Sequence, residues 1–409
     1  MKEGWKRVKI GDLGQVITGN TPPKKDPSNY GSKYPFIKPT DMDIDRRYVT
    51  SWDENYSEKA FKRYKNSYIP PKATGVVTIG TVGEKIFQAD RYCFTNQSVN
   101  VVIPSEDYDE DFVYYVLKIN LPKVLNANPG TASGRHHVSK SNFCAIKIDV
   151  PQSKETQRKI ANILSAYDDL IENNLKRIQL LEEQAQQTYE EWFVRFKFPG
   201  YETAQFDEES GLPVGWAIKP LGDFTEVLKG KNITKATITE GSVPVVAGGL
   251  SPAYFHNKAN TTNPIITVSA SGANAGYVNL YLEDIWASDC SFIDSKMTEN
   301  LFFIYCTLIN QQQFIYHLQK GAAQPHVYPK DLKKVEIVIP SKDILQEFEN
   351  MVSNNFNVKR NLFNQNQHLK EARDILLPRL MSGMIDVDGL EENEGLGMVA
   401  EGSEIYNKN

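Results

Sequence analysis

From Ile160 to Phe196 the apolar residues Ile160, Ile163, Tyr167, Ile171, Leu175, Ile178, Leu181, Ala185, Tyr189, Trp192 and Phe196 recur in steps of three and four, which keeps them on one face of a helix. The stripe predicts a helix of about 40 residues, near 60 Å long at about 1.5 Å per residue. After Pro340 a second stripe runs through Leu345, Phe348, Val352, Phe356, Phe363, Leu369, Ala372, Leu376 and Leu380. It closes at Ser382-Gly383, a C-cap signal. A long helix with one apolar face needs a partner, and two such stripes in one chain most simply bury each other as an intramolecular coiled coil. Asn174 and Asn366 fall near the stripes; exposure is the expectation for each, and a register-fixing role is the alternative.

Ahead of each stripe the pattern changes to short β-rich runs with one helix-like stretch. The runs Gly75-Val-Val-Thr-Ile79 and Ser98-Val-Asn-Val-Val-Ile103 read as strands, and Asp111 to Lys118 as a helix. Later, Pro264 to Ser269 and Trp286 to Ile293 read as strands, and Leu301 to Leu308 as the counterpart helix. The connection from Phe198 to Gly215 is rich in Pro, Gly and acid and reads as a linker.

The two halves also repeat each other. Trp5 to Gly19 aligns with Trp216 to Gly230 at an offset of 211, sharing Trp, Gly-Asp, Val and the final Gly. Gly83 and Asn96-Gln97-Ser98 match Gly276 and Asp289-Cys290-Ser291 at offset 193, while His137-Val138 and the run ending at Pro151 match His326-Val327 and the run ending at Pro340 at offset 189. This period is far above the roughly 20 to 50 residues of solenoid repeats, so a whole domain-plus-helix unit is duplicated. The drift in offset places most of the first copy's extra residues between Gly19 and Gly83. A scaffold kept while its loops vary points to recognition by the loops.

At 409 residues, 40% hydrophobic and 24% charged, the chain has the composition of a globular protein with two or three domains. No apolar run approaches a membrane span and the first residues carry no signal-peptide pattern, so the expected location is the cytoplasm. The four cysteines are far apart, which predicts neither disulfides nor a zinc site. The net charge of −5 argues weakly against a polyanionic partner, because residues 386–409 hold seven acids and one base and leave the remainder slightly positive. That acidic stretch reads as a disordered tail.

Catalytic motifs are missing: there is no dinucleotide fingerprint, no P-loop, no His-Glu-x-x-His and no amino-methyltransferase motif. No catalytic or metal-ligating residues are expected. Binding chemistry is better represented. Lys59, Lys62, Arg63 and Lys65 interleave with Tyr56, Phe61, Tyr64 and Tyr68, a pattern that suits phosphates and guanine edges or, alternatively, an amphipathic helix with its aromatics inward. Flexible basic loops add Thr21, Lys24, Lys25, Arg135 and His136 in the first copy, and Lys229, Lys231, Asn232, Lys235, Gln324 and His326 in the second. Ser271 and Asn274 lie in a small-residue loop that presents amides to a phosphate or forms a tight turn, the turn being favoured.

Taken in order, the paired Gly-Trp starts (Gly4-Trp5, Gly215-Trp216), Asn96-Gln97, Pro151 followed by Gln157 to Leu164, the Phe198-Pro-Gly200 linker and the terminal Leu377 to Gly383 resemble the specificity subunit of a type I DNA restriction-modification enzyme. The second copy departs from the pattern at Asp289-Cys290 and at Leu345 to Phe348. The resemblance implies an α+β chain with two target-recognition domains, residues 1–150 and 216–340, held apart by antiparallel spacer helices, 151–198 and 341–383. Residues 199–215 would be the linker and 384–409 the acidic tail. It further implies a non-catalytic reader of double-stranded DNA, each domain reading one half of an asymmetric bipartite site. Two DNA methyltransferase subunits would dock on the helices, and restriction/translocase subunits would complete the holoenzyme. S-adenosylmethionine, ATP and Mg²⁺ would bind those partners and no cofactor would bind this chain. The rival readings are a self-contained nuclease and a coiled-coil protein–protein adaptor.

Overall fold

The computed structural model describes residues 2–128, 136–321 and 324–389; Arg135 and most of the acidic tail lie outside these. The chain is mixed helix and sheet, with long helices at Lys154–Tyr189 and Lys342–Met381. It divides into two compact units, Met1–Asn174 with Gln365–Asn409, and Leu175–Asn364. Both boundaries fall inside the long helices, so each unit contains part of each helix.

In the first unit, Trp5–Lys9 pairs antiparallel with Lys147–Pro151, joining the start of the domain to the strand that leads into the first long helix. A four-stranded antiparallel sheet follows the order Gly14–Thr18, Val99–Pro104, Thr74–Val77, Ile86–Gln88. Its central strand is buried along its whole length, which is why it reads as a continuous rather than an alternating run. A second sheet orders Tyr30–Gly31, Glu54–Tyr56, Tyr34–Ile37 and Phe94–Thr95, the last pair parallel. The helix Glu110–Ile119 is capped by the Asp109 carboxylate on the Phe112 amide at 2.9 Å and buries Phe112 to Leu117. Its core also takes Ile160, Ala161 and Leu164 from the first long helix and Leu377, Leu380 and Met381 from the second.

The second unit repeats this plan. Ala217–Pro220 pairs with Glu336–Ile339. The four-stranded sheet orders Leu228–Lys229, Cys290–Asp294, Ile265–Ser269 and Val278–Tyr281, and a three-stranded sheet orders Tyr254–His256, Val243–Val246 and Trp286–Ala287. The run from Trp286 to Ile293 is thus not one strand but two, placed in different sheets. The apolar helix Leu301–Asn310 packs on Phe348, Val352 and Phe356 of the second long helix, with Phe302 stacked on Phe356 at 4.5 Å. Glu349 of the same helix accepts the amides of Phe302 and Phe303 at 3.0 and 2.9 Å, satisfying donors that a helix start leaves open.

Within each unit the long-helix segments pair antiparallel, as the contacts Asp168–Arg373 and Asn174–Asn366 show in the first and Glu182–Lys359 and Gln184–Asn355 in the second. Two expectations are corrected. Asn174 and Asn366 are buried and hydrogen-bonded to each other at 3.0 Å rather than exposed. In the second stripe Leu362 is buried while Phe363 is 47% exposed, because the buried face continues through Asn366 and Arg373 to Leu377 and not through the apolar residues beside them. The first helix is regular to Tyr189 and continues as a wider helical turn at Glu190–Val194, where the Arg195 amide reaches the Glu190 carbonyl at 2.9 Å, so that it runs over 154–194, about the expected length. The second ends as expected at Ser382-Gly383: Gly383 has φ +70°, and the Gly383 and Met384 amides bond the Leu380 and Arg379 carbonyls. Residues 199–215 are folded, with Leu212 and Phe198 buried against Trp216 and the chain closed by the Asp207 amide on the Leu212 carbonyl at 2.8 Å.

The extra residues of the first copy fall in two places. The connection 38–53 replaces the shorter 247–253, and 57–73 replaces 257–264. The first of these turns inward. Arg46 makes a two-point contact with Glu172 (3.1 and 2.5 Å), Asp45 pairs with Lys370 at 2.9 Å, and Arg47 is buried against Asp111. Burial pushes the Asp111 carboxyl up, but Arg47 and Lys72 overcome it and hold it below its ordinary value. Beside them Arg373 donates to Asp168 at 2.6 Å and the Tyr115 hydroxyl donates to the same carboxylate at 2.6 Å.

Candidate nucleic-acid interface

In the first unit the strand Gly14–Thr18 runs into Gly19, where an added Cβ would lie 2.2 Å from the Thr95 carbonyl oxygen, so only glycine fits. The close approach lets the Asn20 amide bond Thr95 O at 2.9 Å and brings the Thr21 hydroxyl onto the Gln97 side-chain oxygen. Asn96 closes its own turn by accepting the Ser98 amide at 3.0 Å. From there the Thr78 amide bonds Ser98 O, the Val138 amide bonds Thr78 O, and the Gly80 amide bonds His136 O. Thr21 and Gln97 thus meet directly, and the backbone at His136 is tied through Gly80 and Thr78 to the turn that bears Gln97.

The loop after Thr21 is pinned from below by aromatic hydroxyls, Tyr56 to Asn20 O at 2.5 Å and Tyr30 to Pro22 O at 2.8 Å. The helix Glu58–Tyr64 adjoins it. Ser57 caps this helix, and Lys59 bridges to Asp26 at 2.6 Å and Ser28 at 2.7 Å. The aromatics of the helix face inward, Phe61 stacked on Tyr34 at 4.4 Å, and Lys62, Arg63 and Lys65 face outward. The amphipathic pattern thus describes the packing, and it leaves the cations on the surface shared with Lys24 and Lys25. Several cations are screened by acids: Lys24 by Glu54 at 3.6 Å, Lys33 by Glu58 at 2.7 Å and Lys59 by Asp26. Hydrogen bonds from Lys59 and Ser28 hold the Asp26 carboxyl below its ordinary value, and Lys33 and Tyr34 do the same to Glu58.

The second unit builds the same frame from different side chains. Gly230 stands where a Cβ would meet Ser288 O at 2.2 Å, and the Lys231 amide bonds Ala287 O at 2.9 Å. The Val327 amide bonds Ala270 O and the Gly272 amide bonds Pro325 O, as Val138 and Gly80 do in the first copy. Where Thr21 meets Gln97, here the Ser271 hydroxyl donates to the Asp289 carboxylate. His326 stacks on Tyr328 at 5.8 Å, and Lys330 lies over the same ring at 5.7 Å. Lys229, Lys231, Asn232, Lys235 and Gln324 are exposed. The small-residue loop at Ser271 to Gly276 is a tight turn: the amides of Gly272, Ala275, Gly276 and Tyr277 are all bonded within the chain, and Asn274 supplies one of the accepting carbonyls. Its backbone has no free amide cradle at those positions.

Two residues that the sequence reading named only as motif, Gln97 and Asp289, sit at the centre of these faces. Their position after the edge strands Phe94–Thr95 and Trp286–Ala287 was the available signal. Among the described residues no group of three or more His, Cys, Asp or Glu is placed to hold a metal, and no helix is long and apolar enough to cross a membrane.

Comparison with known proteins agrees with this duplicated architecture. The family model for the type I restriction modification DNA specificity domain matches twice, at residues 2–183 and 213–358. The chain is 30% identical over 410 residues to the type I restriction enzyme MjaIX specificity subunit of Methanocaldococcus jannaschii, covering 94% of each. It is 31% identical over 182 residues to the HindI specificity subunit of Haemophilus influenzae, covering 44% of this chain and 39% of that one. Its fold is similar to the crystal structure of a type I restriction-modification S subunit from M. genitalium, with a TM-score of 0.55 and 16% identity over 92% of this chain and 95% of that one. Two matched domains, each holding one of the two polar faces, and a relative similar along nearly the whole length place the chain in the type I restriction-modification specificity-subunit family.

Proposed function

We propose that the chain is the DNA-reading subunit of a type I restriction-modification complex, each unit reading one half of an asymmetric bipartite site. The observation that carries this is the face built twice. One set of backbone bonds (Asn20 to Thr95 and Lys231 to Ala287; Val138 to Thr78 and Val327 to Ala270) recurs in both copies, but the polar pair on it differs in origin: Thr21, after the strand Gly14–Thr18, meets Gln97 in one, and Ser271, after the strand Ile265–Ser269, meets Asp289 in the other. A repeated backbone frame that carries a different set of polar side chains in each copy is what two readers of different sequences require, since phosphate contacts position a protein and side-chain contacts to base edges specify. The surrounding lysines and Arg63 suit the phosphates.

In this reading the long helices set the spacing between half-sites and dock two methyltransferase subunits, and restriction/translocase subunits join them in the holoenzyme. Methyl transfer, ATP hydrolysis and cleavage then belong to those partners, as do S-adenosylmethionine, ATP and Mg²⁺, and the complex works in the cytoplasm. The test is to map the methylated sites of a reconstituted complex in which residues 20–135 are replaced by the equivalent segment of another such subunit. One half-site should change and the other stay. A change in both halves, or methyl transfer by the purified chain alone, overturns the proposal.

A further inference from the structure

We propose that Leu250 is an apolar wedge that enters a base step of the duplex beside the Ser271–Asp289 face, an inference that rests on the DNA-reading role proposed above. Leu250 sits at the turn of the hairpin formed by Val243–Val246 and Tyr254–His256 and is 58% exposed; Tyr254 and Phe255 on the same hairpin are 41% and 55% exposed. Single exposed apolar residues are ordinary, but three large ones on one hairpin call for a reason.

The exposure is built in. The Ser269 hydroxyl donates to Gly248 O at 3.0 Å, the Ala253 amide bonds Val245 O at 2.9 Å, and a Cβ at Gly248 would lie 2.6 Å from Ser271 O. The turn is thereby held against Ser271, the residue that meets Asp289 and forms a bridge with His326. It cannot fold its leucine back onto the core without breaking these contacts.

Charge distinguishes the occupant. Between Val227 and Thr262 the chain carries four lysines (Lys229, Lys231, Lys235 and Lys258) and one acid, Glu240. Of these, Lys231 is tied to the strand that leads to the turn, its carbonyl taking the Trp286 indole at 2.8 Å beside Val245, while the Thr239 bond to the His256 ring at 3.1 Å and Lys258 lie toward the open end of the hairpin. An apolar tip on a stretch of chain that carries four lysines and one acid fits a ligand with an anionic backbone and an apolar interior reached between stacked bases. Proteins that bend DNA insert Leu, Ile, Phe or Met in this way, and the unstacking cost is least at pyrimidine–purine steps. In the first copy the longer connection 38–53 is drawn inward by Arg46 on Glu172 and Asp45 on Lys370, and the large apolar residue it exposes, Ile44, is 38% exposed against 58% for Leu250.

The test uses the reconstituted complex on a duplex containing its methylation site, with 2-aminopurine placed in turn at each step of the second half-site. The wild-type complex should raise the fluorescence at one step. Leu250→Ser should abolish that signal and weaken specific binding by roughly tenfold, the worth of about 1.4 kcal/mol, while leaving the sequence recognised in the first half-site unchanged. Leu250→Met, which keeps an apolar tip, should retain the signal. Tight wild-type binding with no fluorescence rise at any step, or equal binding by Leu250→Ser, overturns the wedge. Loss of methyltransferase-subunit association in Leu250→Ser would instead mark the hairpin as a protein contact, and also overturns it. The absence of salt-dependent duplex binding by wild type and variants alike would mean that the DNA-reading role itself has failed.

Discussion

Replacing Arg373 by Met should destabilise the first unit more than any other single surface-neutral change in the long helices. The Arg373 and Asp168 side chains are 1% and 2% exposed and meet at 2.6 Å, and the Asp168 carboxylate has the Tyr115 hydroxyl as its other hydrogen-bond partner. Met keeps the volume and removes the charge, so Asp168 is left buried with one neutral donor. Breaking such a pair costs roughly 3 to 5 kcal/mol, because desolvation of the remaining charge is no longer offset. For a folding unit of this size about 2 to 4 °C of melting temperature goes with each kcal/mol, so the transition should fall by roughly 6 to 20 °C. The triple variant Arg373→Met, Asp168→Leu, Tyr115→Phe removes both charges and the hydroxyl together and should recover more than half of the loss. Recovery is partial because the buried Lys118 ammonium, which burial pushes down and Asp168 supports, loses that support. Scanning calorimetry and urea unfolding of the four proteins, including Asp168→Leu, read this directly. A loss under about 1 kcal/mol in Arg373→Met, or a triple variant as unstable as the single one, refutes the argument that this pair is a buried charge balance.

Glu349 sets a pH dependence in the second unit: burial raises its carboxyl from 4.5 to about 7 against the pull of the Phe302 and Phe303 amides. The folded state thus disfavours the ionised form, and the stability of wild type relative to Glu349→Gln should fall by about 3 kcal/mol as pH rises from 4.5 to 8, measured by urea unfolding at each pH; a difference independent of pH contradicts it. Asp26→Asn with Glu58→Gln frees Lys59 and Lys33 from their screens, so duplex binding should tighten and its salt dependence steepen, by up to about 0.9 in log–log slope per cation that reaches a phosphate. Neutralising Lys59, Lys62, Arg63 and Lys65 should flatten that slope, and an unchanged slope in both variants would mean that this surface does not meet the backbone. Four residues inserted into each long helix, between Asn174 and Glu182 and between Lys359 and Asn366, add about 6 Å and only some 40° of rotation. Mapped methylation sites should then show a gap wider by one or two base pairs with both half-site sequences intact; an unaltered gap in an active complex removes the helices from that role.

Much of this architecture is legible in the residues because it depends on period and repetition. The three-and-four spacing from Ile160 to Tyr189 and the run Leu301 to Leu308 gave helices, and the buried strand at Gly75 to Val77 gave itself away by continuous apolar character. What periodicity missed is polar. Apolar spacing cannot register that Asn174, Asn366, Asp168, Glu172 and Arg373 take buried positions, because their partners lie far off in sequence. Hence the apolar spacing points to Phe363 where Leu362 is the residue inside. The reading faces show the same division. Thr21 and Lys59 are carried on adjoining segments, but Gln97 and Asp289 gain their place only when the glycine turns at Gly19 and Gly230 close against the edge strands.

The extra length of the first copy corrects the idea that varied loops serve recognition alone. One of its two insertions, 57–73, carries the basic helix to the surface beside Thr21, as a recognition loop should. The other, 38–53, delivers Asp45, Arg46 and Arg47 to Lys370, Glu172 and Asp111. These charges meet ionic helix positions inside the first unit. Asp168, Glu172 and Arg373 are tolerated inside because partners of opposite sign come with the loop and with each other. The second unit, with only 247–253 at that place, closes its helix segments with Phe302 on Phe356 and with Glu349 on two backbone amides. Its short turn is then free to keep Leu250 at the reading face. Each copy has thus used the same connection for a different end, holding the helices in one and reaching outward in the other, while the glycine-closed frame around Gln97 and Asp289 stayed the same.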